Sequence, residues 1–125
     1  MRTSVNTHDA PTAIGPYSQA IRHGGLLWVS GQLGVVPATG ALIGDGTAEQ
    51  AEQALLNLEA VCREAGTSLV KALRCTVYLV DMADFPVVNG IYEKHFEAPF
   101  PARATVQVAA LPRGGRVEID AVVAV

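Results

Sequence analysis

The chain has 125 residues, half of them hydrophobic and 17% charged, with a formal net charge of −3. That length suits one domain spanning residues 1–125, and so apolar a composition excludes intrinsic disorder. The nine Lys and Arg residues are scattered among twelve Asp and Glu, so the basic stripe of a nucleic-acid binder is missing and such a partner is not expected.

Met1 to Asn6 contains no apolar run of signal-peptide length, and no stretch approaches the ~20 apolar residues of a membrane span. A cytoplasmic location is expected. Tyr17–His23 and Leu26–Ser30, joined by Gly24-Gly25, read as a β-hairpin. Residues 34–46, rich in Gly and containing Pro37, read as turns. A helix follows, with Thr47 as its cap, Gln50 completing a capping box and Glu49 in the first turn. Ala51, Ala54, Leu55, Leu58, Val61, Cys62 and Ala65 recur at the 3,4 spacing of one buried face, and Gly66 is the stop. Glu52, Gln53, Asn57, Glu59, Arg63 and Glu64 form its solvated face.

Ala72–Val80 has strand composition, with Leu73, Cys75, Val77 and Leu79 on one side. Asp84 is the N-cap of a second helix reaching Phe96, with Pro86 tolerated in its first turn. Val88, Ile91, Tyr92 and His95 share a face there, and His95 reads as structural because no metal-binding partner stands at a suitable spacing. Cys62 and Cys75 read as buried free thiols. Two further strands, Arg103–Ala110 and Arg116–Val125, are joined by Leu111-Pro-Arg-Gly-Gly. In the last, Val117, Ile119, Ala121, Val123 and Val125 take one face. Glu118, Asp120, Val122 and Ala124 take the other, which is polar at one end and apolar at the other. Helices are expected on the first face and another subunit on part of the second. The order predicts an α+β domain, a sheet with both helices packed on it, and the intervening helix permits a parallel strand pair.

No phosphate loop, GxSxG, HExxH or zinc cysteine pair is present. Ser30-Gly31-Gln32 at a strand end is either a plain bulge or a place where backbone approaches a ligand. Arg103 and Glu118 are charges in otherwise apolar strands, so each must pair or bind something; a mutual salt bridge, a rim position and a ligand site all remain open. If the last two strands form a hairpin turning near Gly114, Arg103 lies roughly 20 Å from Glu118 at ~3.3 Å per residue. The two would then meet only across an interface.

Several blocks together resemble the RidA/YjgF family: Ala13-Ile-Gly-Pro-Tyr-Ser-Gln-Ala, Val29-Ser-Gly-Gln, Val88-Asn-Gly-Ile-Tyr, Phe100-Pro-Ala-Arg-Ala, Val108-Ala-Ala-Leu-Pro and Val117-Glu-Ile-Asp-Ala. The resemblance implies a chorismate-mutase-like fold assembled as a homotrimer with sites between subunits. It also implies hydrolysis of reactive 2-imino acids or their enamines, such as 2-iminobutanoate and 2-iminopropanoate, to 2-keto acids and ammonia, with no cofactor. On it, Arg103 holds the substrate carboxylate and Glu118 positions or activates water. Tyr17, Ser30, Gly31 and Asn89 line the pocket, and Thr105 contributes a hydroxyl. Ala104-Thr105 and Gln107 depart from the family pattern at places that bear on the substrate's side chain. Some members carry an endoribonuclease or translation-inhibitor label, and a non-catalytic ligand-binding trimer or chaperone is the remaining alternative.

Overall fold

The structure, a computed structural model, describes residues 1–125. In chain order the elements are β1 (Thr3–Val5), β2 (Ala20–His23), β3 (Leu26–Leu33), α1 (Thr47–Glu64), β4 (Ala72–Leu79), α2 (Phe85–Glu93), β5 (Ala102–Gln107) and β6 (Val117–Ala124). The strands form one sheet in the order β1-β2-β3-β6-β4-β5. All neighbours are antiparallel except β4 and β5, which are parallel and joined through α2. The mixed sheet and the two helices match the expected α+β architecture.

The β2–β3 hairpin turns on Gly24 (φ +57°) and Gly25 (φ +82°). A two-residue turn of this hand needs positive φ at both positions, which glycine adopts without steric cost. β1 was not foreseen. Its three residues carry no apolar pattern, and it exists because β2 offers a free edge for Thr3, Ser4 and Val5 to pair with.

All seven apolar positions expected on α1 are buried. The helix closes with Gly66 N–H donating to the Arg63 carbonyl and Thr67 N–H to the Cys62 carbonyl, the paired bonds of a Schellman ending. Its start differs from expectation. The N-cap is Gly46, whose N–H donates to Glu49 Oε1 at 3.0 Å. Thr47 instead donates its hydroxyl to Asp84 and accepts from Arg116 Nε, while Gln50 bridges the Gly44 carbonyl and Arg116 N–H. Tertiary partners have taken these side chains away from capping. Asp84 likewise makes no side-chain cap on α2, which ends at Glu93, short of Phe96. Asn57, expected in solvent, is buried and donates to the Leu33 and Val35 carbonyls, tying α1 to the end of β3.

In β4 the register shifts between Ala72 and Arg74, and this irregularity turns Leu73 outward, away from Cys75, Val77 and Leu79. His95 binds Glu52 at 2.9 Å and thus links α2 to α1, a structural role as expected. Both cysteines are free and buried, and burial pushes the Cys62 thiol up to about 12.

The expected terminal hairpin is absent. β5 and β6 do not pair, because β4 lies between them. β6, whose Val117, Ile119, Ala121 and Val123 are all buried, takes a central position and pairs with both β3 and β4. The crossover through α2 leaves β5 on the far edge of β4. The second face of β6 is only half-buried from Glu118 to Ala124, and Trp28 and Val106 are exposed.

Candidate functional site

Pairing of β3 with β6 shifts register between Val29 and Gln32. The extra backbone carries Ser30 and Gly31 out of the regular ladder and brings Gly31 against Glu118. A Cβ on Gly31 would lie 2.7 Å from Glu118 Oε2, so the carboxylate occupies the space that glycine leaves free. Ser30 is fixed by two bonds: its hydroxyl donates to the Ser18 carbonyl at 2.6 Å and its N–H to the Gln19 carbonyl at 2.9 Å.

Gln19 organises the segment that precedes this bulge. It is buried, accepts from Thr7 N–H at 2.7 Å, and donates to the Thr7, Ala10 and Pro11 carbonyls. The same segment, between Pro11 and Gln19, presents Tyr17, half-exposed, with Ile14 N–H 3.4 Å from its hydroxyl oxygen. Tyr17, Ser30, Gly31 and Glu118 therefore line one open concavity of about 560 Å³. Arg113 lines it too, at positive φ (61°) in the turn before β6, with its guanidinium bonded to the Gly40 carbonyl. In the sequence Arg113 is no more than part of the connection between two strands. The signal available was a lone cation between Pro112 and two glycines.

Glu118 is half-buried, and burial pushes its carboxyl above the ordinary carboxylate range, with a smaller contribution from the like charge of Asp120. Asp120 sits two residues along the same face, held by Thr76 N–H and the Tyr78 hydroxyl, both at 3.1 Å. A carboxyl raised in this way is a better proton acceptor than a free one, which suits acid–base work near neutral pH.

Arg103 lies elsewhere. Its Nη1 donates to Asn89 Oδ1 at 2.9 Å, and its guanidinium carbon sits 4.8 Å from the Tyr92 ring centroid and 5.5 Å from that of Phe85. Asn89, Tyr92, Phe100 and Arg103 line a second concavity of about 430 Å³ between α2 and β5. The strand register separates the two places. Arg103 pairs with Cys75 and Glu118 with Tyr78. Cys75 and Tyr78 are an odd number of residues apart on β4, so Arg103 faces the helices and Glu118 the open side of the sheet. Strand geometry puts their Cα atoms roughly 14 Å apart.

Among the expected site residues, one group thus comprises Tyr17, Ser30, Gly31 and Glu118, and another Arg103 and Asn89. Thr105 lines neither concavity; its hydroxyl is buried and without a partner. Gln107 accepts from Met82 N–H at 2.8 Å, and Ala104 pairs with Thr76 on the open face. No three His, Cys, Asp or Glu side chains are grouped so as to hold a metal ion.

The family model described as Endoribonuclease L-PSP matches residues 7–125. A RutC family protein, y4sK of Sinorhizobium fredii, is 53% identical over 119 residues, covering 95% of this chain and 94% of that one. The human 2-iminobutanoate/2-iminopropanoate deaminase is 47% identical over 122 residues, covering 98% of this chain and 89% of its own. The crystal structure of RidA from an Antarctic Psychrobacter superposes with a TM-score of 0.95 at 44% identity, covering 98% and 99% of the two chains. Carrying the family's sequence over almost its whole length and the fold of its solved members, the chain belongs to the RidA/YjgF family, the Endoribonuclease L-PSP family of the matching model.

Proposed function

We propose that the chain hydrolyses reactive 2-imino acids, such as 2-iminopropanoate and 2-iminobutanoate, to 2-keto acids and ammonia, acting in the cytoplasm as a homotrimer with its sites between subunits. The observation that carries this reading is the state of Arg103: one N–H is tied to Asn89 and the guanidinium lies against aromatic rings, beside an open concavity. A guanidinium restrained in this way suits a planar carboxylate, which it binds through two parallel hydrogen bonds. The named deaminases at about 47% identity supply the chemistry.

Arg103 anchors the carboxylate of the imine. Glu118 accepts a proton from water as the oxygen attacks C2 of the C=N bond, giving a tetrahedral carbinolamine. Glu118 returns that proton to nitrogen, then takes the carbinolamine's hydroxyl proton and delivers it to the same nitrogen as the C–N bond breaks, so ammonia leaves, C2 becomes the carbonyl of the keto acid and the carboxylate is restored. Ser30 and Gly31 hold the place beside Glu118, and Tyr17 walls it. Thr105 lies two residues from Arg103 on the same strand face and acts on the anchor's surroundings. Because Arg103 and Glu118 face opposite sides of one sheet, the complete site takes each from a different copy. The half-buried face of β6 and exposed Trp28 supply apolar surface for that assembly.

The test is release of ammonia from 2-iminopropanoate generated in situ. Wild-type protein should accelerate it and Arg103→Ala should lose the acceleration; a variant as active as wild type contradicts the reading. The description of the matching family favours a second reading, ribonuclease activity. A net charge of −3 without a basic run weighs against it. RNA cleavage by purified protein that an Arg103 or Glu118 variant abolishes would restore it.

A further inference from the structure

Phe85, Asn89 and Tyr92 stand at i, i+4 and i+7 on α2, and therefore on one stripe of the helix. Arg103 reaches up from the edge strand β5 to lie along that stripe. Its guanidinium is 4.8 Å from the Tyr92 ring and 5.5 Å from the Phe85 ring, and Asn89, between the two in sequence, takes one of its N–H groups. Phe96, just beyond the helix, packs against Tyr92 with ring centroids 4.4 Å apart. Tyr92 and Phe96 are both buried, so the ring nearer to Arg103 is itself held by the core.

We propose that Tyr92 and Phe85 are positioning residues of the carboxylate anchor, their rings bracketing the Arg103 guanidinium and fixing the plane in which its free donors meet a substrate carboxylate. The inference rests on the reading of Arg103 as that anchor. An unrestrained arginine samples many rotamers, and docking a carboxylate on both prongs requires most of that freedom to be lost. Two aromatic faces and one amide oxygen remove it before the substrate arrives, and a cation over a ring is itself stabilised. Asn89 engages a single nitrogen and leaves the other donors free.

The Tyr92 hydroxyl has no part in this arrangement. It is buried toward the Cys75 thiol of β4, and that burial, with Cys75 beside it, pushes the phenol well above its usual range, so it stays a neutral ring. A role for the ring rather than the hydroxyl makes Tyr92→Phe and Tyr92→Leu differ sharply.

The test is binding of 2-oxobutanoate by calorimetry, with steady-state deaminase kinetics beside it, on protein shown to be folded by circular dichroism. Tyr92→Phe should bind within about twofold of wild type. Tyr92→Leu should weaken binding about 10-fold and Phe85→Leu about 3-fold, each raising KM while kcat changes little. A merely structural role would lower Tm and leave the Kd of the folded fraction unchanged, and that outcome overturns the proposal. Loss of binding in Tyr92→Phe equal to that in Tyr92→Leu also overturns it, since the hydroxyl would then be the active part. Should Tyr92→Leu fail to fold, Phe85→Leu and Tyr92→Phe decide the matter by the same readings. Arg103→Ala separates the two levels of the argument. Unchanged 2-oxobutanoate binding in that variant overturns the anchor itself, whereas weakened binding there with wild-type binding in the ring variants overturns the bracket alone.

Discussion

Arg103 and Glu118 face opposite sides of one sheet: Arg103 is in register with Cys75 and Glu118 with Tyr78, across the two sides of β4. The side-chain period of a strand is two, so an odd separation along β4 sends the two charges to different faces. Neither neutralises the other within a chain. Each is accommodated where it stands, Arg103 by Asn89 and aromatic rings, Glu118 in the space left by Gly31. The proposed reaction, which uses both residues, therefore calls for Arg103 and Glu118 from different copies of the chain.

Glu118 gives a pH dependence whose sign is fixed. Its folded-state carboxyl titrates above the ordinary value of 4.5, chiefly through burial and then through Asp120. The folded state therefore holds a proton that the unfolded state has released, and stability falls as pH rises from about 4.5 through the folded value. Glu118→Gln removes the penalty. The variant should lose deaminase activity yet melt about 1–3 °C above wild type at pH 7, with the gain vanishing below pH 4.5. The acid limb of kcat/KM in the wild type should lie above the usual carboxylate range. Thermal melts across pH 4–8 and a pH–rate profile check both.

Gly31→Ala should separate activity from stability. The added methyl would meet the end of the Glu118 side chain at 2.7 Å, and a flexible side chain can swing away. Folding should change little, whereas kcat/KM should drop on the order of 10²-fold because the carboxylate is displaced. An unaltered rate would mean that the Glu118 position beside Gly31 is not the working one.

Gly34→Ala should do the reverse. Its Cβ would fall 2.5 Å from the Gln50 Cα, where β3 ends against the first turn of α1, and backbone cannot step aside. The expected cost is about 1–3 kcal/mol in urea unfolding, with kinetic constants of the folded fraction close to wild type.

Gln19→Ala should loosen the segment carrying Tyr17. The substitution leaves Thr7 N–H and the Thr7, Ala10 and Pro11 carbonyls without their shared partner. A loss of about 2–3 kcal/mol is expected, since several buried polar groups lose their bonds together. Hydrogen exchange should speed up in residues 7–19 ahead of the sheet, and KM should rise more than kcat falls.

Local signals were legible where one element sufficed. The α1 stripe from Ala51 to Ala65, the Gly24-Gly25 hairpin and the Gly66 stop each depend on neighbours a few residues away, and each formed as read. Pairing of β5 with β4, not β6, depends on where the α2 crossover delivers the chain, which no local pattern encodes. Thr47, Gln50 and Asn57 carried ordinary cap and surface signatures, and Asp84 and Arg116, the Gly44 carbonyl and the end of β3 claimed them. Within the site, Arg103 and Glu118 stood out because charge in an apolar strand needs a reason. Tyr92 and Phe85 did not, because aromatic residues on a helix read first as core.

The most direct test of a site shared between copies is complementation between Arg103→Ala and Glu118→Gln. Each variant alone should be inactive. Co-refolded in equal amounts, the two should form interfaces at which an intact Arg103 meets an intact Glu118, restoring about one quarter of wild-type ammonia release per subunit for random assembly. A mixture no more active than either variant alone, in a population shown by native mass spectrometry to contain mixed oligomers, would contradict the account.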